Sequence, residues 1–208
     1  MSIELKRVTK EFDDNTIIDN FSYTFENGKS YALIGPSGSG KTTLLNIIAH
    51  IDKPTGGEIL IDQIDYQKIK ELEFYRDYLG YIFQNFGLIE KKTVKQNLLM
   101  LPLSKDFKKN IDDKLIPVLK QVGLDETFLK RSVASLSGGQ AQRVAIARNI
   151  LKNPKIIVAD EPSAALDEKN TNMIMELLKK QINNNTVLIV ATHDPNVYSQ
   201  LDEVINLS

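Results

Sequence analysis

The chain has 208 residues, of which 42% are hydrophobic, and its 26 basic and 27 acidic residues leave a formal net charge of −1. This composition fits one substantial α/β domain, and the charge balance gives no indication of binding to nucleic acid or to an anionic membrane surface. With no cysteine and only two histidines, the sequence excludes disulfides and thiolate metal sites, so we expect any metal to be Mg²⁺ bound through oxygen ligands.

Neither the N-terminus nor any internal segment has the pattern of a targeting signal or a membrane span. The first residues lack the basic-then-apolar order of a signal peptide, and no uninterrupted apolar stretch approaches about 18 residues. We therefore expect a cytosolic chain without direct membrane insertion, so that any role at a membrane depends on a partner. We find no internal repeat or low-complexity segment, and we expect no appended regulatory domain.

The first 30 residues are expected to form short strands separated by polar turns. Alternation of apolar and polar residues predicts strands at 3–8, 17–18 and 21–25. Asn27 and Gly28 then mark a turn. Such alternation is typical of antiparallel strands with one exposed face.

The next segment has a phosphate-binding pattern. An apolar run at 31–34 predicts a buried strand, and a helix is predicted where apolar residues recur at the i, i+3, i+4, i+7 spacing. The residues at that spacing are Leu44, Ile47, Ile48 and Ile51. Between strand and helix, glycines allow backbone N–H groups to surround phosphates, a lysine supplies positive charge, and a threonine hydroxyl can ligate Mg²⁺.

We therefore predict a nucleotide triphosphate site in the loop between that strand and helix. The order strand, glycine loop, helix supports this prediction, and the alternative is a solvated Gly/Ser turn between two core elements. The residues assigned to phosphate binding are Gly35, Pro36, Ser37, Gly38, Ser39, Gly40, Lys41, Thr42 and Thr43.

Further strands are predicted on both sides of the phosphate loop in the sequence. Residues 57–62 and 79–84 are each predicted to form a strand, so that strands on both sides of the loop can complete a sheet. The continuous apolar runs at 156–159 and 187–191 are typical of parallel strands covered on both faces.

The region 93–151 has a helical pattern. A helix is expected to begin with residues 93–99, and residues 113–122 are amphipathic despite Pro117. The polar residues 105–113 predict an exposed connection, for which a charged surface hairpin is the simplest interpretation.

Three predicted parallel strands are followed by reactive side chains. The phosphate loop follows one of them, Asp160 and Glu161 follow the second, and Thr192 and His193 follow the third. Because ligands of open α/β sheets bind at the carboxyl ends of the strands, we expect these residues to surround one γ-phosphate. Asp160 is then the partner of Mg²⁺, directly or through water, and Glu161 faces the attacking water. The alternatives are a loop or helix cap for the two acids and a structural histidine.

A second glycine element provides a second anion site. A serine can cap the helix while two glycines expose its N–H groups, and the apolar side chains at 144, 147, 150 and 151 bury the other face. The binding residues are Ser137, Gly138, Gly139 and Gln140. A plain capped helix is the alternative. With the following residues 141–148, this segment resembles the signature of ABC-type ATPases.

The resemblance extends over nearly the whole chain and implies a fold. It implies an α/β phosphate-loop NTPase (RecA-like) core with an N-terminal antiparallel β subdomain and an inserted α-helical subdomain. One ABC ATPase domain would span 1–208, with the core and β subdomain at about 1–84 and 152–208. The helical subdomain with the signature would span about 85–151.

The resemblance also implies roles for individual residues, with ATP and Mg²⁺ as cofactors. Gln84 resembles the glutamine that contacts Mg²⁺ or the attacking water, so the implied metal-binding set is Thr42, Gln84 and Asp160. The implied catalytic residues are Glu161, which activates water, His193, which contacts the γ-phosphate, and Gln84.

Three further assignments concern the base and the dimer. Phe12 lies at the position of the aromatic residue that stacks on adenine, although the family more often has Tyr there, and its alternative is a core aromatic of the first hairpin. Asp167 ends the loop 164–167, which resembles the loop that crosses the dimer interface. We assign His50 to surface structure.

ABC-type ATPases act as head-to-tail dimers beneath membrane subunits, which implies two partners. A second copy would complete each ATP site with its signature, and an integral membrane permease would hold the chain at the inner face of the cell membrane. The segments 81–89 and 93–98 are similar to exporters of antimicrobial peptides, macrolides and lipoproteins, with bacteriocin export the closest likeness.

Three other functions stay open at the level of sequence. The first is an ATPase that signals to a membrane partner without transport, as in the cell-division complexes of the same group. The second is a soluble ABC protein of translation or DNA repair, which the absence of a second cassette, of coiled-coil insertions and of cysteines disfavours. The third is a binding module without hydrolysis, which the presence of Glu161 and His193 disfavours.

Overall fold

A computed structural model describes residues 2–13, 15–101, 111–164 and 166–207, in which the strands form two sheets. The N-terminal strands and those that follow the first helix are β1 (Ser2–Phe12), β2 (Asn15–Glu26), β3 (Ser30–Ile34), β4 (Gly56–Ile61) and β5 (Ile64–Asp65). The later strands are β6 (Leu79–Ile82), β7 (Ile156–Asp160), β8 (Val187–Ala191) and β9 (Glu203–Asn206). An antiparallel sheet has the order β2-β1-β4-β5, and a parallel sheet has the order β6-β7-β8-β3-β9.

The described helices are placed between the strands. They are α1 (Lys41–Ile48), α2 (Glu71–Glu73), α3 (Val94–Leu99), α4 (Ile111–Gln121), α5 (Gly138–Lys152), α6 (Glu168–Lys179) and α7 (Pro195–Tyr198). A π-helical turn spans Phe74–Tyr78, and 3-10 turns span Tyr66–Lys68, Glu126–Lys130 and Val133–Ser135. Across the described ranges, every helix is too short or too polar to span a bilayer.

The parallel sheet separates two hydrophobic cores. In β7, Ile156 and Val158 pack into a core shared with α1 and the antiparallel sheet. Ile157 and Ala159 point to the opposite face, into a core shared with the later helices. Because both faces are covered, β7 and β8 are continuous apolar runs, as the sequence predicted.

The N-terminal region differs from the prediction of separate short strands. β2 is one strand of 12 residues, and its pairing with β1 contains register shifts. Asn20 lies at one of these irregularities with a φ of 46°, so the polar residues that suggested a turn belong to a bulged strand.

The predicted helix after the phosphate loop is shorter than its apolar spacing indicated. Leu44, Ile47 and Ile48 are buried, but Ile51 is 48% exposed, because α1 ends at Ile48 and His50 has a φ of 57°. His50 is also not a surface residue as predicted. Its ring is half-buried, with centroids 4.5 Å from Tyr66 and 5.5 Å from Phe74.

The helical region begins with a capped helix. Thr93 caps α3, and its Oγ1 accepts a hydrogen bond from the backbone N–H of Gln96. α4 contains Pro117 and buries one apolar face, as predicted. The predicted exposed connection at 105–113 lies outside the described residues up to position 110.

Candidate nucleotide-binding site

The register of the parallel sheet brings the ends of three strands together. Ala191 of β8 is paired with Leu33 of β3 on one side and with Asp160 of β7 on the other. A cavity of about 770 Å³ opens at this edge. It is lined by Phe12, Ile17, Gly35, Pro36, Ser37, Gly38, Gly40, Lys41, Thr42, Thr43, Gln84, Asp160, Glu161, Ala164 and His193.

The phosphate loop forms a close backbone cradle before α1. At Gly35, which has a φ of 150°, an added Cβ would overlap the Leu207 carbonyl oxygen and lie 2.6 Å from Ser39 Oγ. Gly40 caps α1 with a φ of 89°. Lys41 Nζ donates hydrogen bonds to the carbonyl oxygens of Gly35, at 2.8 Å, and Pro36, at 2.9 Å. The cradle thus combines a helix N-terminus with a lysine held across the loop, which is the donor set that phosphates require.

Ser39 is the one predicted loop residue that does not line this cavity. Its Oγ is buried behind the loop and has no hydrogen-bond partner among the described residues. Sequence spacing could not separate Ser39 from its neighbours, because its direction depends on the turn that the loop makes.

Thr42 and Asp160 meet across the strand ends. Thr42 Oγ1 donates a hydrogen bond of 2.9 Å to Asp160 Oδ2. Burial and the neighbouring Glu161 carboxylate raise the pKa of Asp160, whereas the bond from Thr42 lowers it. A cation beside Asp160 would favour its ionised form.

This donor pair fits Mg²⁺. Within the described ranges, no three His, Asp or Glu side chains are arranged to enclose a metal ion. A hydroxyl and a single carboxylate suffice for Mg²⁺, because this ion usually keeps several waters and binds substrate phosphates.

Glu161 is held by two residues that follow β8. Glu161 Oε1 and His193 Nδ1 share a hydrogen bond of 2.7 Å, and Thr192 Oγ1 donates to Glu161 Oε2 over 3.3 Å. The bond to the Glu161 carboxylate and its negative charge raise the pKa of His193. The arrangement places a carboxylate at the cavity wall with an orienting imidazole, as general-base chemistry requires.

The aromatic wall of the cavity is Phe12, which is 45% exposed. This exposure excludes the alternative that Phe12 is a core residue of the first hairpin. Lys10 Nζ lies 4.6 Å from the centre of the Phe12 ring and donates to Asp52 Oδ1 over 2.7 Å. The ammonium group of the buried Lys10 therefore contacts one face of the Phe12 ring. Lys10 was not predicted from the sequence, although its i, i+2 spacing from Phe12 places both on one face of β1.

Besides Ser39, five predicted binding residues do not line this cavity. Ser137 caps α5, accepting at Oγ from the backbone N–H of Gln140, while Gln140 Oε1 accepts from the N–H of Ser137. Asp167 caps α6 by accepting from the N–H of Asn170 over 2.8 Å. The five residues are Ser137, Gly138, Gly139, Gln140 and Asp167.

The parallel sheet, the phosphate cradle and the carboxylates beyond β7 define a phosphate-loop nucleotide-hydrolysing domain. The sequence profile of the family described as "ABC transporter" matches residues 18–164. The chain therefore belongs to the ABC transporter ATP-binding family, and the resemblance noted in the sequence is confirmed.

Individual relatives agree with this assignment over almost the full chain. ABC transporter ATP-binding protein MJ0796 of Methanocaldococcus jannaschii is 40% identical, over 99% of this chain and 92% of that protein. Its dimeric structure in a post-hydrolysis state, bound to ADP and Pi, has a TM-score of 0.85 and 37% identity, covering 99% of this chain and 94% of that one. The lipoprotein-releasing system ATP-binding protein LolD of Rickettsia typhi is 39% identical, over 98% of this chain and 93% of that protein.

These findings confirm the predicted fold class, the ATPase activity and the cofactors. The chain is an ATPase of the ABC cassette fold that uses ATP with Mg²⁺. The identity of the transported molecule is not shared among relatives, since the methionine import protein MetN of Haemophilus influenzae is also 39% identical, over 96% of this chain and 60% of that protein.

Proposed function

We propose that this chain hydrolyses ATP with Glu161 as the general base. The observation that carries this proposal is the position of Glu161 at the wall of the cavity beyond β7, bonded to His193 and Thr192. Lys41 and the loop N–H groups bind the phosphates, and Thr42 and Asp160 hold Mg²⁺ with Gln84. When bound, Mg²⁺ neutralises charge on the phosphate oxygens.

His193 orients the Glu161 carboxylate and reaches toward the γ-phosphate. Because its imidazole is already bonded to Glu161, small rotations of the ring exchange that bond for one to a phosphate oxygen. Gln84, which follows β6, also lines the cavity, where its amide can orient water. Phe12 stacks on adenine through the exposed ring.

The working unit is a head-to-tail dimer. Ser137, Gly138, Gly139 and Gln140 do not line the cavity of their own chain, so a second copy supplies them. Asp167 lies at the same interface. The dimeric structure of MJ0796 supports this proposal. In such a dimer, ATP binding closes the interface and hydrolysis opens it again.

A membrane permease is the second partner and holds the chain at the cytoplasmic face of the membrane. Support comes from a groove of about 390 Å³ beside the residues that follow β6, bordered by the exposed side chains of Ile51, Ile89 and Met100. The groove lies between the core segments, 1–84 and 152–208, and the helical segment 85–151 that would form the inserted subdomain.

The transport direction is export, with an antimicrobial peptide or a related amphipathic molecule as the substrate. The likeness of residues 81–89 and 93–98 to exporters and the similarity to LolD support export. Reconstitution of the chain with the membrane protein encoded beside it, followed by measurement of ATPase activity and peptide transport in vesicles, tests this. ATPase stimulation without movement of any peptide would favour a signalling module.

The assignment of Glu161 is tested by Glu161→Gln. We expect this variant to bind ATP and form dimers in Mg-ATP, while kcat falls by about 10²- to 10⁴-fold, because the amide cannot accept the proton of water. Glu176→Gln, on the exposed face of α6, is the matched control and should keep the normal rate. Ordinary hydrolysis by Glu161→Gln would remove Glu161 from this role.

A further inference from the structure

A buried glutamine connects the helix α5 to the turn that carries Glu161. Gln142 lies in the first turns of α5 and is only 1% exposed. Its Nε2 donates a hydrogen bond of 2.8 Å to the carbonyl oxygen of Pro162. Pro162 is buried and directly follows Glu161, so this amide ties the two segments together across the core.

The turn beyond β7 needs such support, because its backbone is unusual. Glu161 has a φ of 46°, in the left-handed region that residues with a Cβ adopt rarely. Its N–H donates to the Ala191 carbonyl oxygen over 2.9 Å, and its own carbonyl oxygen accepts from the N–H of Ala164 over 3.1 Å. These bonds hold the two ends of the turn, and the bond from Gln142 holds its middle.

The same helix carries the second anion site. Ser137 caps α5 five positions before Gln142. The N-terminus of α5 therefore has the exposed Ser137 as its cap, and Gln142, in the next turn, is hydrogen-bonded to the residue after Glu161. The side chain of Gln142 therefore links the N-terminal part of α5 to the Pro162 carbonyl.

We propose that Gln142 is a positioning residue for Glu161, which it holds in the geometry for hydrolysis through the Pro162 carbonyl. The proposal rests on the general-base role of Glu161 given above. Gln142 is not among the residues that line the cavity, so its removal changes the rate of hydrolysis and not the binding of ATP. Engagement of Ser137 by the nucleotide of a second chain would reach Glu161 by this connection.

The test replaces the donor by apolar side chains of similar length, in Gln142→Met and Gln142→Leu. Loss of the donor removes the hydrogen bond to the Pro162 carbonyl and leaves the turn free to relax. We expect kcat to fall at least about tenfold while KM and the Kd for ATP stay within about twofold, because small displacements of a catalytic group are costly. Gln181→Met is the matched control, since Gln181 also donates to a backbone carbonyl, that of Leu177, away from the site.

A double variant tests whether Gln142 acts by positioning Glu161 or in some other way. If Gln142 acts through Glu161, adding Gln142→Met to Glu161→Gln lowers the residual single-turnover rate no further, whereas independent effects would multiply. A normal kcat in either folded Gln142 variant, equal losses in kcat and ATP affinity, or multiplied losses in the double variant would overturn the proposal. Normal hydrolysis by Glu161→Gln alone would instead overturn the role of Glu161.

Discussion

The two histidines of this chain have opposite electrostatic environments. Burial against Tyr66 and Phe74 lowers the pKa of His50, whose Nδ1 has no hydrogen-bond partner among the described residues. The hydrogen bond with Glu161 and its charge raise the pKa of His193. Because histidines titrate between about pH 5 and 8, these two residues make opposite contributions to the pH dependence of folding.

The sign of each contribution follows from the direction of the shift. The unfolded state binds a proton at position 50 more readily than the folded state does. The stabilisation from neutral His50 is therefore present above about pH 6.5 and is lost as the pH falls through that value toward the folded pKa. For His193, stabilisation is present below about pH 6.5 and is lost as the pH rises through the folded pKa.

We predict that, in His50→Asn, the free energy of unfolding falls less, or rises more, as the pH is lowered from 8 to 5 than it does in the unmodified chain, because the contribution lost on acidification is removed. Asparagine tolerates the φ of 57° at this position, so the backbone is kept while the titrating ring is lost. Stability above pH 7 should fall by about 1–2 kcal/mol, because the ring contacts disappear. Urea unfolding without nucleotide measures both effects.

The exposed histidine provides the matched control. His193→Asn should make stability fall more steeply as the pH is lowered, because it removes the contribution of opposite sign. Parallel pH curves for His50→Asn and the unmodified chain would show that His50 is not held in its neutral form.

At the scale of elements, sequence patterns were most informative where one rule governs a whole segment. The strands at 156–159 and 187–191 were predicted almost to their ends, because burial of both faces requires apolar residues throughout. β2 was divided in the prediction because its bulges interrupt the alternation. The end of α1 was predicted too late, since the turn at His50 depends on contacts with residues 66 and 74.

The packing of β6 against the C-terminal end of α5 gives a prediction at this scale. A Cβ added to Gly80 would overlap Asn149 Oδ1 and lie 2.6 Å from Pro154 Cγ. We expect Gly80→Ala to lower the free energy of unfolding by about 1–3 kcal/mol, because the strand and helix must separate. Chemical denaturation measures this loss.

A glycine in another strand serves as a control, because alanine there would cause no steric overlap. A Cβ at Gly56 of β4 would lie 3.7 Å from Thr9 Cβ, an ordinary contact, and neither glycine has a positive φ. Gly56→Ala should therefore leave stability within about 0.5 kcal/mol. Equal effects of the two substitutions would mean that β6 and α5 are not closely packed at Gly80.

At the scale of the whole molecule, the sequence predicted which residues line the site better than it predicted the hydrogen bonds that hold them in place. The phosphate loop was predicted because its residues are adjacent in sequence, and the strand-end rule brought Asp160, Glu161 and His193 to it. The contact from Gln142 to Pro162 spans 20 positions and that from Lys10 to Asp52 spans 42. A single sequence carries no pattern for such contacts, because they depend on tertiary packing.

The separation of the two anion sites within one chain leads to a test by mixing inactive variants. Glu161→Gln removes the base, and Gly139→Asp places a negative charge at the N-terminus of α5. An added Cβ at Gly139 meets Leu166 Cδ2 at 3.6 Å, an ordinary contact, and aspartate is favourable at a helix N-terminus, so this variant should fold. Its carboxylate would repel the phosphates of a nucleotide bound to the facing chain.

If each site takes α5 from the other chain, a mixed dimer has one site with both defects and one site with neither. An equimolar mixture should then recover about a quarter of the normal ATPase rate, since half of the dimers are mixed and one of their two sites is intact. Each variant alone should stay inactive at the same total concentration, which serves as the control. If the sites were completed within one chain, every site would carry a defect and mixing would recover nothing, so the absence of recovery in mixtures that form dimers would contradict the head-to-tail arrangement.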